Sequence, residues 1–221
     1  MQKRAYGQYC GLARALELVG ERWALLIVRD LLVGPRRFSD LRRGLPRIPT
    51  NVLTTRLKEL EEAGLVQRRL QPRPATGVVY ELTPYGAELE AVVIQLGLWG
   101  AKSLGDPRDE DIVTPDLLTI ALRTTFRPEA ARGLRATFEL HVGPVVVNAR
   151  IDDGRLEVGE GTLPSADLVI AAGPKLRLVM AGELSPDDAL AAGELAITGD
   201  PALLTRFAQV FRIEPLPAAS A

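Results

Sequence analysis

The pattern of apolar and polar residues over positions 38–66 predicts two helices separated by a sharp turn. The apolar residues of the first helix recur three and four positions apart, on one face: Phe38, Leu41 and Leu45. Two prolines interrupt the chain, and Thr50 or Asn51 is in position to cap the second helix. The second helix has an apolar stripe of its own: Leu53, Leu57 and Leu60. Gly64 ends this helix, so the stretch predicts a helix-turn-helix.

The polar face of the second helix divides into two parts along its length. Short hydrogen-bonding side chains and cations occupy the N-terminal part: Thr50, Asn51, Thr54, Arg56 and Lys58. Glutamates follow in the C-terminal part: Glu59, Glu61 and Glu62. The major groove of DNA admits one helix, and side chains of the first kind meet its base edges. The pattern therefore favours a DNA-reading helix, and an amphipathic helix of an ordinary small α domain is the alternative.

The rest of the N-terminal half predicts a winged helix. Helices are predicted at residues 10–19, 21–33 and 85–104, and strands at residues 65–70 and 78–82. The strands form a hairpin around a proline-rich turn, with arginines on or beside it: Arg68, Arg69 and Arg73. A hairpin behind a recognition helix is a wing that reaches the phosphate backbone or the minor groove. The uncovered apolar stripe of the last helix, which includes Trp99, predicts contact with a helix of another subunit.

The C-terminal half predicts a different architecture. Strands are predicted at residues 133–142, 145–151, 155–158, 166–171 and 194–198. Helices are predicted at residues 114–126, 174–181, 187–192 and 202–211. A meander of strands followed by helices, one strand and a closing helix predicts a sheet with helices on one face. The whole chain is therefore expected to be α+β, with a winged helix domain before a sheet-and-helix domain.

Charge divides the chain in the same way. The net charge of the 221 residues is −1. Residues 1–104 hold 16 Lys and Arg against 10 Asp and Glu, a net charge of +6, and the remainder holds 11 against 18, a net charge of −7. The basic half can approach a polyanion, whereas the acidic half is repelled by one. We therefore expect domains at residues 1–104 and 112–214, with the polar stretch 105–116 as the seam.

Composition excludes several classes of function. Cys10 is the single cysteine and His141 the single histidine, so we expect no internal disulfide and no metal site. The apolar runs are too short to span a bilayer, and the N-terminus lacks the apolar segment of a signal peptide. We therefore expect a cytoplasmic protein with no membrane partner. No nucleophile–base pair or phosphate loop is recognisable, so we expect neither enzyme activity nor a cofactor.

Several spaced blocks of the N-terminal half resemble one family. The blocks ARALELVGERWALLIVRDLL, GPRRFSDL, IPTNVLTTRLKELEEAGLVQRR and VVYELTPYGAEL resemble the HxlR type of bacterial transcriptional regulator, a branch near MarR. The resemblance covers about residues 9–100. It implies a homodimer that pairs through the first and last helices of the domain. A two-fold dimer would read a roughly palindromic operator in double-stranded DNA.

The resemblance also implies residue roles. It places the groove residues on and just before the second helix of the pair: Arg47, Thr50, Asn51, Thr54, Thr55 and Lys58. It places Arg68, Arg69 and Arg73 on the wing, although each arginine can also be a solvated surface charge. Cys10 is a candidate redox sensor, because this family sometimes uses such a thiol and a helix N-terminus can lower a thiol pKa. The alternative is a small buried residue at the dimer interface.

About residues 112–213 resemble sterol-carrier-protein-like domains, which bind apolar molecules between sheet and helices. The blocks that carry this resemblance are ADLVIA, MAGELSPDDAL and GELAITGDP. It implies a pocket for a hydrophobic small-molecule effector, and the candidate lining residues are Phe126, Phe138, Leu140, Val146, Leu178, Val179, Met180, Leu190, Leu204, Phe207 and Phe211. The alternative is that these residues are ordinary core. We expect His141 to be a structural histidine, exposed or hydrogen-bonded.

Two functions follow for the C-terminal domain. In the first, it binds an apolar effector that controls DNA binding by the N-terminal domain. In the second, it serves only oligomerisation or a protein partner. A cavity of several hundred cubic ångströms would favour the first function, and a filled interior would favour the second.

Overall fold

The structure is a computed structural model that describes residues 5–71, 76–105, 108, 111–173 and 175–214. It divides into two compact units, Met1–Val93 and Ile94–Ala221. The division falls inside a helix and precedes the polar seam expected at residues 105–116. Each unit has its own cluster of buried apolar side chains.

The N-terminal unit consists of helices followed by a hairpin. Its helices are α1 (Gly11–Val19), α2 (Ala24–Val33), α3 (Phe38–Gly44), α4 (Thr50–Glu62) and α5 (Pro84–Ala87). The hairpin consists of β1 (Val66–Leu70) and β2 (Val78–Leu82), which pair antiparallel. Helix α6 (Leu89–Ala101) follows and contains the division between the units. This order of elements is the winged helix that the sequence predicts.

The buried stripe of α4 holds that helix in the core. Leu53, Leu57 and Leu60 are at most 1% exposed, and they belong to one apolar cluster with Ile27 and Val28 of α2. Burial of one leucine side chain contributes about 1.5–3 kcal/mol to stability. The predicted apolar face of α4 is confirmed, and the polar residues of its N-terminal part are left largely in contact with solvent.

The starts of two helices differ from the expectation. Helix α4 begins at Thr50 and Pro49 is the extended residue before it, so neither Thr50 nor Asn51 is the cap. Helix α2 begins at Ala24 instead of residue 21, because Trp23 adopts a left-handed backbone conformation with a φ of 82°. A left-handed conformation is uncommon for a bulky residue and ends helical geometry at that position.

The predicted last helix of the N-terminal half is interrupted after its first turn. Thr83 caps α5, because its Oγ1 accepts a hydrogen bond from the backbone N–H of Gly86 at 3.0 Å. Gly86 lies so close to the hairpin that a Cβ atom there would be 2.0 Å from the carbonyl oxygen of Leu65. The chain turns at Glu88 before α6 begins.

The C-terminal unit is a five-stranded sheet with helices. Its strands are β3 (Arg135–Val142), β4 (Val145–Asp152), β5 (Arg155–Glu160), β6 (Leu168–Ala172) and β7 (Leu195–Gly199). Its helices beyond α6 are α7 (Pro115–Thr125), α8 (Leu176–Ala181), α9 (Pro186–Ala191) and α10 (Ala202–Val210). The predicted strands and helices are confirmed, with ends that differ by a few residues.

The order of strands across the sheet is β5-β4-β3-β6-β7. Strands β3 and β6 are parallel, and the other neighbours are antiparallel. The expected meander is confirmed for β3, β4 and β5 but is wrong for β6, because the chain leaves β5 at one edge of the sheet and crosses β4 and β3 before it forms β6. The connection between β5 and β6 makes this crossing.

Candidate functional site

The exposed face of α4 carries most of the residues expected at a DNA groove. The exposed residues are Thr50, Asn51, Thr54, Thr55 and Lys58. The leucines of the same helix are buried, so the structure brings these five residues together on one helical surface. Arg47 is exposed in the turn before α4. We call the five residues of α4 the reading face.

The threonine hydroxyls of the reading face are bound to the helix backbone. Thr54 Oγ1 donates to the carbonyl oxygen of Thr50 at 2.9 Å, and Thr55 Oγ1 donates to that of Asn51 at 2.9 Å. Their hydroxyl protons are therefore committed, and the hydroxyl oxygens can still accept hydrogen bonds. Asn51 offers a side-chain donor and an acceptor, which is the combination that pairs with adenine in the major groove.

Each glutamate near the end of α4 has a cationic neighbour. Glu61 accepts hydrogen bonds from Arg68 of β1, and Glu59 pairs with Arg56. Lys58 lies 3.8 Å from Glu62 and its side chain is 72% exposed. The contact of Lys58 is long and exposed, so its flexible stem can present the ammonium group to a phosphate.

Arg68 of the wing is held in place by two neighbours. Its guanidinium bonds Glu61, and it lies 5.6 Å from the centroid of the Tyr80 ring. The hydrogen bond to Glu61 raises the pKa of Arg68. The arginine side chain remains 56% exposed, and Glu61 occupies only its Nε and Nη2, so a phosphate can reach the rest of the guanidinium but competes with the carboxylate for its charge.

Arg69 of the wing is paired in a similar way. Its Nε donates to Glu81 Oε2 at 2.8 Å across the hairpin. This bond, followed by one from Gln67, lowers the pKa of Glu81. The third predicted wing residue, Arg73, lies outside the described residues.

Arg37 joins the wing to the helix pair, a role that sequence reasoning missed. Its Nη2 donates to the side-chain oxygen of Gln71 and to the carbonyl oxygen of Thr76, both at 3.2 Å. Its backbone N–H bonds the carboxylate of Asp40 at 3.1 Å. These contacts connect the start of α3 with the base of the wing. Its position before the helix pair was the only sequence signal, since the wing partners lie 34 and 39 residues away.

Cys10 is exposed at the start of α1. The backbone N–H of Ala13, and then that of Leu12, lower the pKa of the thiol. A lower pKa increases the fraction of thiolate, which is the reactive form. Because Cys10 is exposed, reagents in solution can reach its thiol, and within this chain it is not a buried apolar residue.

Helices α1 and α6 each carry large apolar side chains that solvent reaches. The exposed residues of α1 are Leu12 and Leu16, and those of α6 are Val92, Leu96 and Trp99. They recur at helical spacing, and Trp99 is 72% exposed. Such uncovered apolar stripes are typical of surfaces that pack against another chain.

Most of the expected pocket residues lie in the core of the C-terminal unit. The fully or nearly fully buried ones are Phe138, Leu140, Val179, Met180, Leu204, Phe207 and Phe211. The ring centroids of Phe207 and Phe211 are 4.7 Å apart, and those of Phe138 and Phe207 are 5.5 Å apart. Phe126 lies 5.8 Å from Phe211. These four aromatic rings therefore form one packed cluster.

The other expected pocket residues are placed differently. Phe126, Leu178 and Leu190 are partly buried. Val146 pairs with His141 in the sheet, and the two face away from the side that holds Phe138 and Leu140. Val146 is therefore a correction to the expected pocket, because successive strand residues point to opposite faces.

Glu139 is a buried carboxylate on the same sheet face as His141. Its Oε2 accepts a hydrogen bond from the backbone N–H of Leu163 at 2.7 Å, and its Oε1 lies 2.6 Å from His141 Nε2. The N–H of Leu163, with a smaller contribution from His141, lowers the pKa of Glu139 against the opposing effect of burial. Leu163 belongs to the connection that crosses the sheet, so Glu139 ties that connection to β3. His141 is hydrogen-bonded, in line with a structural role.

The described part of the chain offers neither a metal-binding cluster nor a membrane-spanning helix. No group of three or more His, Cys, Asp and Glu side chains there is arranged to hold a metal ion. No helix there is both long enough and apolar enough to cross a bilayer.

The helix pair, the reading face and the paired hairpin behind them define a winged helix-turn-helix DNA-binding protein. The chain belongs to the HxlR-like helix-turn-helix family, whose sequence profile matches residues 18–107. It is 38% identical over 95 residues to the HTH-type transcriptional regulator YodB of Bacillus subtilis, covering 43% of this chain and 84% of YodB. It is 35% identical to the regulator YtcD of the same organism, covering 47% of this chain and 81% of YtcD.

The N-terminal part of the chain also resembles solved structures, and the C-terminal part matches a second family. The crystallised reduced form of YodB from B. subtilis is 36% identical, covers 46% of this chain and 100% of that chain, and gives a TM-score of 0.39. Residues 120–212 match the SCP-2 sterol transfer family. The protein is thus a transcriptional regulator of the HxlR type that carries an SCP-2 domain after its DNA-binding domain.

Proposed function

We propose that the protein is a homodimer that binds a roughly palindromic operator and is controlled by an apolar small molecule bound in its SCP-2 domain. The observation that carries the DNA-binding role is the reading face of α4, where polar side chains are exposed on a helix anchored by three buried leucines. A helix fixed in this way can enter the major groove without losing its packing. A DNA-binding role is also consistent with the expected cytoplasmic location and argues against enzyme activity.

The dimer is supported by the exposed apolar stripes of α1 and α6. Burial of such stripes against a second copy removes apolar surface from water, at about 25 cal/mol per Å². Two recognition helices related by a two-fold axis read half-sites about one DNA turn apart. The proposed operator is therefore an inverted repeat with half-sites about 10 base pairs apart, centre to centre.

The effector is supported by the match of residues 120–212 to a sterol transfer family. An apolar ligand would contact the buried side chains of the C-terminal unit, among which Met180 has the most adaptable shape. Control of DNA binding requires that the effector bind the competent and incompetent states with different affinity. A coupling free energy of about 1–3 kcal/mol would change operator affinity several-fold to more than a hundredfold.

A second candidate function is oligomerisation or protein binding by the C-terminal unit without a small ligand. The packed cluster of Phe126, Phe138, Phe207 and Phe211 favours this alternative, since it occupies space between sheet and helices. Both functions leave DNA binding to the N-terminal unit. They differ only in what the C-terminal unit binds.

The deciding experiment combines native mass spectrometry with selection from randomised double-stranded DNA. Full-length protein purified from its own host should have the mass of a dimer plus a retained apolar molecule, and it should enrich an inverted repeat. A dimer without a retained molecule would favour the second candidate. A monomer that enriches no sequence would contradict the proposed function itself.

A further inference from the structure

Arg56 lies on the recognition helix, but its guanidinium is directed to the turn between α1 and α2. Its Nε donates to the carbonyl oxygen of Arg22 at 3.3 Å, and its Nη2 donates to Glu21 Oε2 at 3.1 Å. Its Nη1 pairs with Glu59 of its own helix. The Arg56 side chain is 17% exposed, whereas that of Lys58, two residues further on, is 72% exposed.

The turn that Arg56 binds has an unusual backbone. Trp23 has a φ of 82°, and the carbonyl group that Arg56 holds belongs to the residue immediately before it. The guanidinium of Arg22 lies 5.1 Å from the centroid of the Trp23 ring. A left-handed conformation at a tryptophan persists only where surrounding contacts fix it. Arg56 supplies one such contact from α4.

We infer that Arg56 is a positioning residue, which clamps the recognition helix to the turn between α1 and α2 and does not contact DNA. Two carboxylates, those of Glu21 and Glu59, already neutralise its charge. Each of its three nitrogens already donates a bond, and only 17% of the side chain is exposed, so little of the guanidinium is left for a phosphate. The planar guanidinium fork makes three bonds in different directions, which a lysine ammonium on a single stem cannot reproduce.

This inference rests on the proposed DNA-binding function and assigns the clamp a specific consequence. Helix α1 runs into the clamped turn, and α1 is one of the two helices proposed at the dimer interface. The clamp therefore fixes the orientation of α4 relative to α1. In the proposed dimer, α1 would in turn set the distance between the two reading faces. Without the clamp, the reading face would keep its side chains and its charge. Its side chains would no longer be aligned with the base edges of the operator.

The test compares Arg56→Met and Arg56→Lys with Lys58→Met in the full-length protein. Affinities for the selected operator and for unrelated DNA are measured over a range of salt concentrations. Arg56→Met should weaken operator binding by about tenfold, the size of one lost base contact. Its binding to unrelated DNA and its salt slope should not change, and Arg56→Lys should behave in the same way. Lys58→Met should weaken both and reduce the salt slope by about one.

A contact of Arg56 with phosphate predicts the opposite pattern. In that case Arg56→Met would lower both affinities and reduce the salt slope by about one, while Arg56→Lys would resemble the wild type. Glu21→Gln separates the two explanations further. It should lower the ratio of operator to unrelated affinity if Arg56 is a clamp, and leave that ratio unchanged if Arg56 binds phosphate. The inference would be overturned if the Arg56 variants, or Glu21→Gln, gave the result expected for a phosphate contact.

A measurement without DNA keeps this inference separate from the proposed function. Hydrogen exchange of the backbone at residues 20–24 should become faster in Arg56→Met and stay unchanged in Lys58→Met, with the same helical content by circular dichroism. Unchanged exchange in Arg56→Met would overturn the clamp even if the protein binds DNA. If the wild-type protein binds no DNA but the exchange difference is found, the proposed function fails while the clamp stands.

Discussion

Glu61 near the end of α4 accepts two hydrogen bonds from Arg68 of the wing, at 3.1 Å from Nε and 2.8 Å from Nη2. The recognition helix and the wing are thereby joined by an ion pair that occupies two of the three nitrogens of the Arg68 guanidinium. The carboxylate competes with DNA for Arg68, and it would also repel a phosphate placed there.

Removal of the competing carboxylate should therefore strengthen DNA binding. We expect Glu61→Gln to raise affinity for unrelated DNA about two- to tenfold at low salt, because Arg68 is freed of its carboxylate partner and a negative charge near the phosphate is removed. Titration of labelled duplex by fluorescence anisotropy measures this change. Glu90→Gln on α6 is the control with the same change in net charge. An equal gain in the two variants would mean that only total charge matters.

Two residues of the reading face, Asn51 and Lys58, should contribute to DNA binding in different ways, the first by reading a base and the second by binding phosphate. We expect Asn51→Ala to weaken operator binding by about tenfold while affinity for unrelated DNA is kept, because an asparagine contributes discrimination at a base edge. We expect Lys58→Glu to weaken binding to every sequence and to reduce the salt slope by at least about one. Competition titrations with operator and unrelated duplex measure both effects. Unchanged operator affinity in both variants would show that α4 reads DNA with another surface.

Glu139 should stabilise the C-terminal unit above acidic pH. Its pKa is lowered in the folded state, mainly by the N–H of Leu163, so its contribution is present above the unfolded-state pKa and is lost as the pH falls through the folded-state value. We expect Glu139→Gln to cost about 1–2 kcal/mol at neutral pH, because a buried charge-assisted hydrogen bond is weakened. Urea unfolding at several pH values measures this cost.

The matched control for Glu139 is the exposed Glu157 on β5 of the same sheet. Glu157→Gln should leave stability at neutral pH nearly unchanged. The cost of Glu139→Gln should shrink toward zero at acidic pH, where the wild-type carboxylate is itself protonated. A constant difference between Glu139→Gln and the wild type over the whole range would contradict the lowered pKa.

Much of the fold could be predicted from sequence because periodicity reports burial directly. Leu53, Leu57 and Leu60 recur at helical spacing, and all three are buried. Val146 shows where this signal fails. It stands in the run Val145–Val147, where every residue is apolar and no alternation tells which face each one takes. Only the pairing with β3 assigns Val146 to the opposite face.

The contacts of charged residues were not predictable in the same way. Arg56 occupies a polar position of α4, among side chains whose types suit a DNA groove. Its partners Glu21 and Arg22 lie 35 and 34 residues away, and helical spacing carries no information about contacts at that separation. The burial of Glu139 was not predictable for a related reason. It depends on the connection between β5 and β6, which crosses the sheet, and the expected meander has no such crossing.

Cys10 should react faster than an ordinary cysteine at moderate pH. The backbone N–H groups of Ala13 and Leu12 lower its pKa, so thiolate forms at lower pH than in a free cysteine, whose pKa is about 8.5. We expect the rate of alkylation by iodoacetamide to reach half its maximum at a lower pH than for a cysteine in an unstructured peptide. Loss of operator binding on oxidation should disappear in Cys10→Ser if the thiol is a sensor. A Cys10→Ser variant that responds to oxidant like the wild type would exclude that role.

The N-terminal domain should work without the SCP-2 domain. The buried cluster around Leu53, Leu57 and Leu60 draws its members from residues 18–93, so a fragment of residues 1–104 retains its whole core. We expect this fragment to dimerise, because it keeps the exposed stripes of α1 and α6, and to bind the same operator as the full chain. Light scattering and operator titration measure the two properties. A folded fragment that stays monomeric and binds no DNA would show that the C-terminal unit is part of the DNA-binding assembly and not an appended control domain.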